Sequence, residues 1–130
     1  MSYTAQNSAI RSRFNTNWTA TTVKYDNADF TPPSNAAFVV LEIHNVDEMP
    51  VSIGNGVLYR SLGIISINIY VPLNTGTKIL NQYCDAAALI FRGQQFSGVT
   101  CRGAKITRLG EIDGRFVANI SMEFFRDEEF

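Results

Sequence analysis

Side chains able to do chemistry are few in this sequence and lie far apart. There is one histidine, His44, and there are two cysteines, Cys84 and Cys101. His44 stands two residues from Glu42 in an alternating stretch, so the pair shares one strand face and could tune a proton; a surface ion pair is the plainer reading. One histidine and two separated thiols provide no zinc-ligand spacing. A thiol nucleophile would need His44 brought to Cys84 or Cys101 in space, and nothing in the spacing calls for that. Both cysteines fall in apolar patterns and read as small core fillers, with a disulfide left open if the Cα atoms come within about 7 Å. The acidic groups Asp47/Glu48 and Asp127/Glu128/Glu129 are expected in a loop and a tail, where carboxylates are solvated ends. Gly54-Asn55-Gly56 is followed by no Lys-Ser/Thr and helix, so it is a turn and not a phosphate loop. We assign no catalytic, cofactor-binding or metal-binding residue, and we expect no cofactor and no enzymatic activity.

Composition narrows the class. The chain has 130 residues, 45% of them hydrophobic and 18% charged, the balance of one globular domain spanning 1–130. Eleven basic residues against twelve acidic ones leave a net charge of -1, without the basic excess of a nucleic-acid binder. The polar start, Met1 to Asn7, has no charged-then-apolar signal pattern, and no run of about 20 apolar residues could span a membrane. The protein is therefore expected in the cytoplasm where it is made, with no membrane partner.

Periodicity supplies the elements that must position whatever surface does the work. Ile10, Phe14 and Trp18 recur every fourth residue and predict a helix over 5–18, capped by Ser2 or Thr4. A Thr- and Val-rich strand follows over 19–25, then a loop over 26–35 holding Phe30, Pro32 and Pro33. Residues 37–46 alternate as a strand and 47–56 read as a second loop, with Met49, Val51 and Ile53 as its apolar residues. The longest strand covers 57–71, with Gly63 marking a bulge or bend. A second helix capped by Asn74 or Thr75 runs to about Arg92 and stops at Gly93. A hairpin closes the chain, 98–109 turning through 110–114 into 115–125. The predicted class is α+β, order α-β-β-β-α-β-β, an antiparallel or mixed sheet with both helices on one face. Fifteen aromatic residues exceed what one small core requires, and those in loops, such as Phe30, are candidate contact groups.

One stretch resembles a known group. Gly63-Ile64-Ile65-Ser66-Ile67-Asn68-Ile69-Tyr70-Val71-Pro72 runs through Leu73-Asn74-Thr75-Gly76 into a helix ending Ile90-Phe91. This strand–Pro–Gly–helix centre, with the first helix and the final hairpin around it, is similar to small phage and prophage tail proteins of the tail-terminator type. The resemblance implies a structural subunit that forms a ring with itself, typically a hexamer, at the head-proximal end of a tail. There it would stop tube polymerisation, contact the tail tube protein and offer a surface to a head-completion or neck protein, with DNA passing through the lumen. It implies assembly in the host cytoplasm and residence in the virion tail. The family brings no catalytic residues. Candidate interface residues, chosen from expected exposure, are Phe30, Asp47, Glu48, Met49, Val51, Ile53, Arg60, Arg102 and Arg108. The rival readings are another neck or head–tail connector subunit, or, in a different class, a monomeric ligand-binding or enzymatic domain with a deep pocket.

Overall fold

A computed structural model describes residues 2–25, 31, 36–51, 58–74 and 76–129. The predicted Phe30 and Ile53, and most of the two loops that carry them, lie outside the described residues. The element order is α1 (Tyr3–Asn17), β1 (Thr22–Tyr25), β2 (Phe38–Pro50), β3 (Leu58–Pro72), α2 (Lys78–Phe91), β4 (Gln95–Phe96), β5 (Val99–Ile112) and β6 (Arg115–Glu129). This is the predicted mixed α+β class with one added two-residue strand, β4. Its brevity hides it from any periodicity argument.

The six strands form one sheet in the order β1-β2-β3-β6-β5-β4. β1 runs parallel to β2; all other neighbours are antiparallel. The two longest strands, β3 and β6, are therefore central. β3 is paired along its whole length with β6 and along nearly all of it with β2, so it offers no free edge of its own. Among the described residues the open runs belong to β2, its neighbour, and to β5, which pairs with β6.

Alternation decides which way each strand faces. On β3, Ile65, Ile67, Ile69 and Val71 are buried and lie opposite Met122, Ile120, Ala118 and Phe116 of β6. Val39 and Leu41 of β2 extend this apolar face on one side, Val99 and Cys101 of β5 on the other. Ile10, Phe14 and Trp18, at the predicted spacing of four, belong to the same cluster, as do Leu80, Cys84, Ala87, Ala88, Ile90 and Phe91. The Phe14 ring is stacked with those of Trp18 and Phe91, at centroid distances of 5.4 and 6.1 Å. Fully burying one Ile or Phe contributes about 1.5–3 kcal/mol, so this cluster is the main source of stability.

Boundaries moved where local signals met tertiary ones. Ser2 caps α1, its hydroxyl oxygen accepting from the Ala5 amide at 3.1 Å. α2 starts at Lys78, later than predicted, because Asn74 and Gly76 have left-handed φ of 65° and 78°, which a helix cannot include. β2 continues past Val46 to Pro50: a bulge between Asn45 and Asp47 absorbs one residue and the pairing with β3 resumes. Asp47, Glu48 and Met49 are thus strand residues and not loop residues. β6 likewise runs on through Asp127, so the predicted acidic tail is part of the ladder. The last hairpin turns on Asp113-Gly114 alone, both at positive φ, and Gly110 sits in a bulge of β5.

Gly63 keeps regular register on β3; the irregularity is across from it on β2. Its function is close approach. A Cβ here would collide with the Phe124 ring and would lie 2.7 Å from the His44 carbonyl oxygen. Gly63→Ala should therefore overpack a site closed by backbone and lower stability by about 1–3 kcal/mol. The urea midpoint would fall with an unchanged slope, whereas an unchanged midpoint would refute this packing.

Candidate functional site

With the core face assigned, the residues between its apolar positions form the outer face of the sheet. Down β3 these are Arg60, Leu62, Ile64, Ser66, Asn68 and Tyr70, and opposite them on β6 are Asp127, Phe125, Glu123, Ser121, Asn119 and Val117. The middle of this face is polar: Asn119 Nδ2 donates to Ser66 Oγ at 2.8 Å and to Asn68 Oδ1 at 2.7 Å. One end is aromatic and charged. Phe38 stacks on Tyr70 at 4.6 Å, and the Arg115 guanidinium lies 4.5 Å from the Phe38 ring centre. A hollow of about 360 Å³ opens there, lined by Lys24, Phe38, Val40, Tyr70, Ile112, Asp113 and Arg115.

The opposite end gathers several predicted interface residues. The bulge in β2 turns Asp47 and Met49 onto the outer face, level with Leu62 and Arg60 of β3. The same rows continue to Phe125 and Asp127 of β6. Arg60 Nε donates to Asp127 Oδ1 at 2.9 Å and Nη2 to Oδ2 at 3.2 Å, a two-pronged pair. The Asp127 carboxyl is held below its ordinary range by that hydrogen bond. Two guanidinium groups approach the Phe125 ring, Arg60 at 4.4 Å and Arg102 at 5.5 Å. Asp47, Met49, Arg60 and Arg102 thus lie in one patch with Phe125 and Asp127, while Val51 lies just past the end of β2, its amide donating to the Leu58 carbonyl at 2.8 Å. Arg60 is committed to Asp127 and half-buried, which makes it an organiser of the patch more than a free contact group.

Glu48 points the other way, toward α1, and accepts from the Tyr3 hydroxyl at 2.9 Å. Below it is a polar junction built on two buried side chains. Arg126 Nε donates to Gln6 Oε1 at 2.5 Å, Gln6 Nε2 donates to Asn45 Oδ1 at 3.0 Å, and the Arg126 guanidinium lies over the Tyr3 ring at 4.5 Å. Gln6 and Arg126 are both essentially inaccessible to solvent. This junction ties the start of α1 to the bulged stretch of β2 and to the last part of β6, beside the patch. Sequence reasoning missed it. A Gln and an Arg in otherwise polar segments give no sign of burial; the only trace is that Gln6 precedes Ile10 by four residues, on the apolar side of the helix. Arg108 is remote from the patch, on the edge strand β5, where Nη2 donates to Asn81 Oδ1 of α2 at 2.9 Å.

The reactive candidates are kept apart. His44 is exposed on the outer face, with Nε2 3.0 Å from Glu42 Oε2. Cys84 and Cys101 are buried free thiols in the core. Burial pushes the Cys101 thiol up to about 11 and raises Cys84 as well, so neither is a thiolate at neutral pH. Among the described residues there is no group of three or more His, Cys, Asp or Glu side chains able to hold a metal ion, and no helix long and apolar enough to cross a membrane.

A family model described as phage tail terminator protein matches residues 7–119. One solved structure superposes with a TM-score of 0.70 at 19% identity, covering 100% of this chain and 98% of that chain, a likeness of fold. No curated protein matches.

Two outcomes follow from the site's chemistry. Both cysteines should resist an aromatic disulfide reagent in the native protein and react at once after unfolding; rapid native labelling would contradict their burial. The contribution of Asp127 is present above the unfolded carboxyl range and is lost as pH falls through its lowered folded value. Wild type and Asp127→Asn should thus differ in urea midpoint at neutral pH and converge in acid. An unchanged difference across that window would contradict the pairing.

Proposed function

Because this chain belongs to the phage tail terminator family, we propose that it closes the head-proximal end of the tail tube as a ring, stops tube growth and presents the surface that joins the head. The observation that carries this reading is the family match, which begins within α1 and reaches Asn119 of β6. It makes the protein a structural component of the virion tail. On our reading residues 1–130 act as one domain with both helices on the core face of the sheet, which is supported by the single cluster that unites them. We take the ring to be a hexamer with DNA passing through its lumen, assembled in the host cytoplasm on the tail tube protein and then met by a head-completion or neck protein. No catalytic step is assigned to it.

The physics of a closed ring suits the surface. A head-to-tail contact needs two different complementary patches on each subunit. At about 800 Å² per partner, two such patches would use roughly a fifth of the 7401 Å² accessible surface. Exposed apolar side chains are available away from the core, at Val46, Met49 and Val51 near one edge and Ile106, Leu109 and Ile112 near the other.

The test is light scattering and electron microscopy, alone and with purified tail tubes. We expect a weakly associating monomer that forms rings at tube ends and halts elongation. Tubes that keep growing and carry no ring would overturn the reading. Arg102→Glu should leave the fold intact, since Arg102 is exposed, and weaken docking by about tenfold or more. Loss of folded protein would contradict that placement.

A further inference from the structure

The sheet ends in two unequal open edges. β1 pairs with Phe38 to Leu41 of β2, and among the described residues no strand lies outside residues 44–50. On the far side, β4 pairs with Val99 and Thr100, and two further backbone bonds follow, the Cys101 amide donating to the Gln94 carbonyl and the Gly93 amide to the Arg102 carbonyl. Beyond these, no described strand covers residues 103–112 of β5. Exposed strand edges with apolar side chains invite another strand, and monomers usually blunt them. Here both retain apolar groups: Val46 is 62% exposed and Ile106 50%.

The two edges differ in charge. Residues 44–51 of β2 carry Asp47 and Glu48 and no Lys or Arg. Residues 102–112 of β5 carry Arg102, Lys105 and Arg108 against one acid, Glu111. Each is thus an apolar strand edge of one prevailing sign, and the signs are opposite. A like pair of edges would repel; an unlike pair from two copies attracts.

Strand direction agrees. β2 and β6 run one way, β3 and β5 the other. A rotation axis near the strand direction keeps that sense from copy to copy, so β5 of one copy meets β2 of the next antiparallel. The bulges at Asn45/Asp47, Cys101/Ala104 and Arg108/Gly110 leave two short regular runs, residues 47–50 and 104–108. Traced across the sheet, the second run lies about six residues, or roughly 20 Å, further along the strands than the first. Strands in a closed sheet are tilted by about 35–45°, which over the width of four strands gives a stagger of that order.

We propose that neighbouring copies of this chain join by strand addition, the acidic edge of β2 in one copy pairing with the basic edge of β5 in the next. This rests on the ring reading above and names its contact. The test uses two charge-reversed proteins, Asp47→Lys/Glu48→Lys and Lys105→Glu/Arg108→Glu. All four side chains are exposed, so circular dichroism should show both variants folded. By concentration-series light scattering, each alone should self-associate at least tenfold more weakly than wild type, because both its edges now carry one sign. Mixed one to one, they should recover assembly as alternating rings, since each acidic edge again meets a basic one. Variants that assemble like wild type, or fail to recover on mixing while wild type assembles, would overturn the β2–β5 contact and leave the ring reading standing. Wild type that stays monomeric at every concentration and on tail tubes would overturn the ring reading itself, and this contact with it.

Discussion

Ile65, Ile67 and Ile69 of β3 lie against Met122, Ile120 and Ala118 of β6, and this dry row is what the other elements are fitted to. Side chains on a strand alternate with a period of two, so slipping this pairing by one residue would turn the whole row to the outer face. Register is therefore locked at the centre of the sheet, and β2 and β5 inherit it. The aromatic stack of Phe91, Phe14 and Trp18 belongs to the cluster built on that row. Gly63 is a consequence of the same tightness: the row ends at Phe124, whose ring occupies the space where a side chain on Gly63 would be.

Locking the centre leaves the periphery free to serve as surface. The outer face can be polar in its middle because its stability does not depend on being covered; Asn119, Ser66 and Asn68 satisfy one another there. At one end, Arg60, Asp127, Arg102 and Phe125 combine a charge pair with ring contacts, holding long side chains in fixed places. Preordered side chains lose less entropy on meeting a partner. The junction of buried Gln6 and Arg126 with exposed Asn45 does the same for the backbone, tying the start of α1 to β2 and β6 beside the patch. A protein that works by mating surfaces needs rigidity at its rim as well as in its core, and its polar groups are spent on this.

Much of the fold was legible in the sequence because it is written in local periodicity. The spacing of Ile10, Phe14 and Trp18 identified α1 and its buried face, Gly93 identified the end of α2, and Asp113-Gly114 identified the last turn. Boundaries failed where a neighbouring strand extended an element beyond its local signal. β2 runs on through Asp47, Glu48 and Met49, although their polarity and the following Pro50 suggested a loop, since β3 supplies a partner for each. Of the candidate interface residues, Asp47, Met49, Arg60 and Arg102 come together; Glu48 turns toward α1, and Arg108 lies on a distant edge.

The sequence by itself determined every element but the two-residue β4, the apolar side of the longer ones, and the wide spacing of the few residues able to do chemistry. Those properties depend on residue identity and on spacings of a few positions. Tertiary structure alone decided which strands are central and which are edges. β3 meets β6 across the whole of α2 and β5, and no short-range pattern encodes a pairing between segments so far apart. That placement made β3 an interior strand and, among the described residues, left β2 and β5 with open runs of opposite charge.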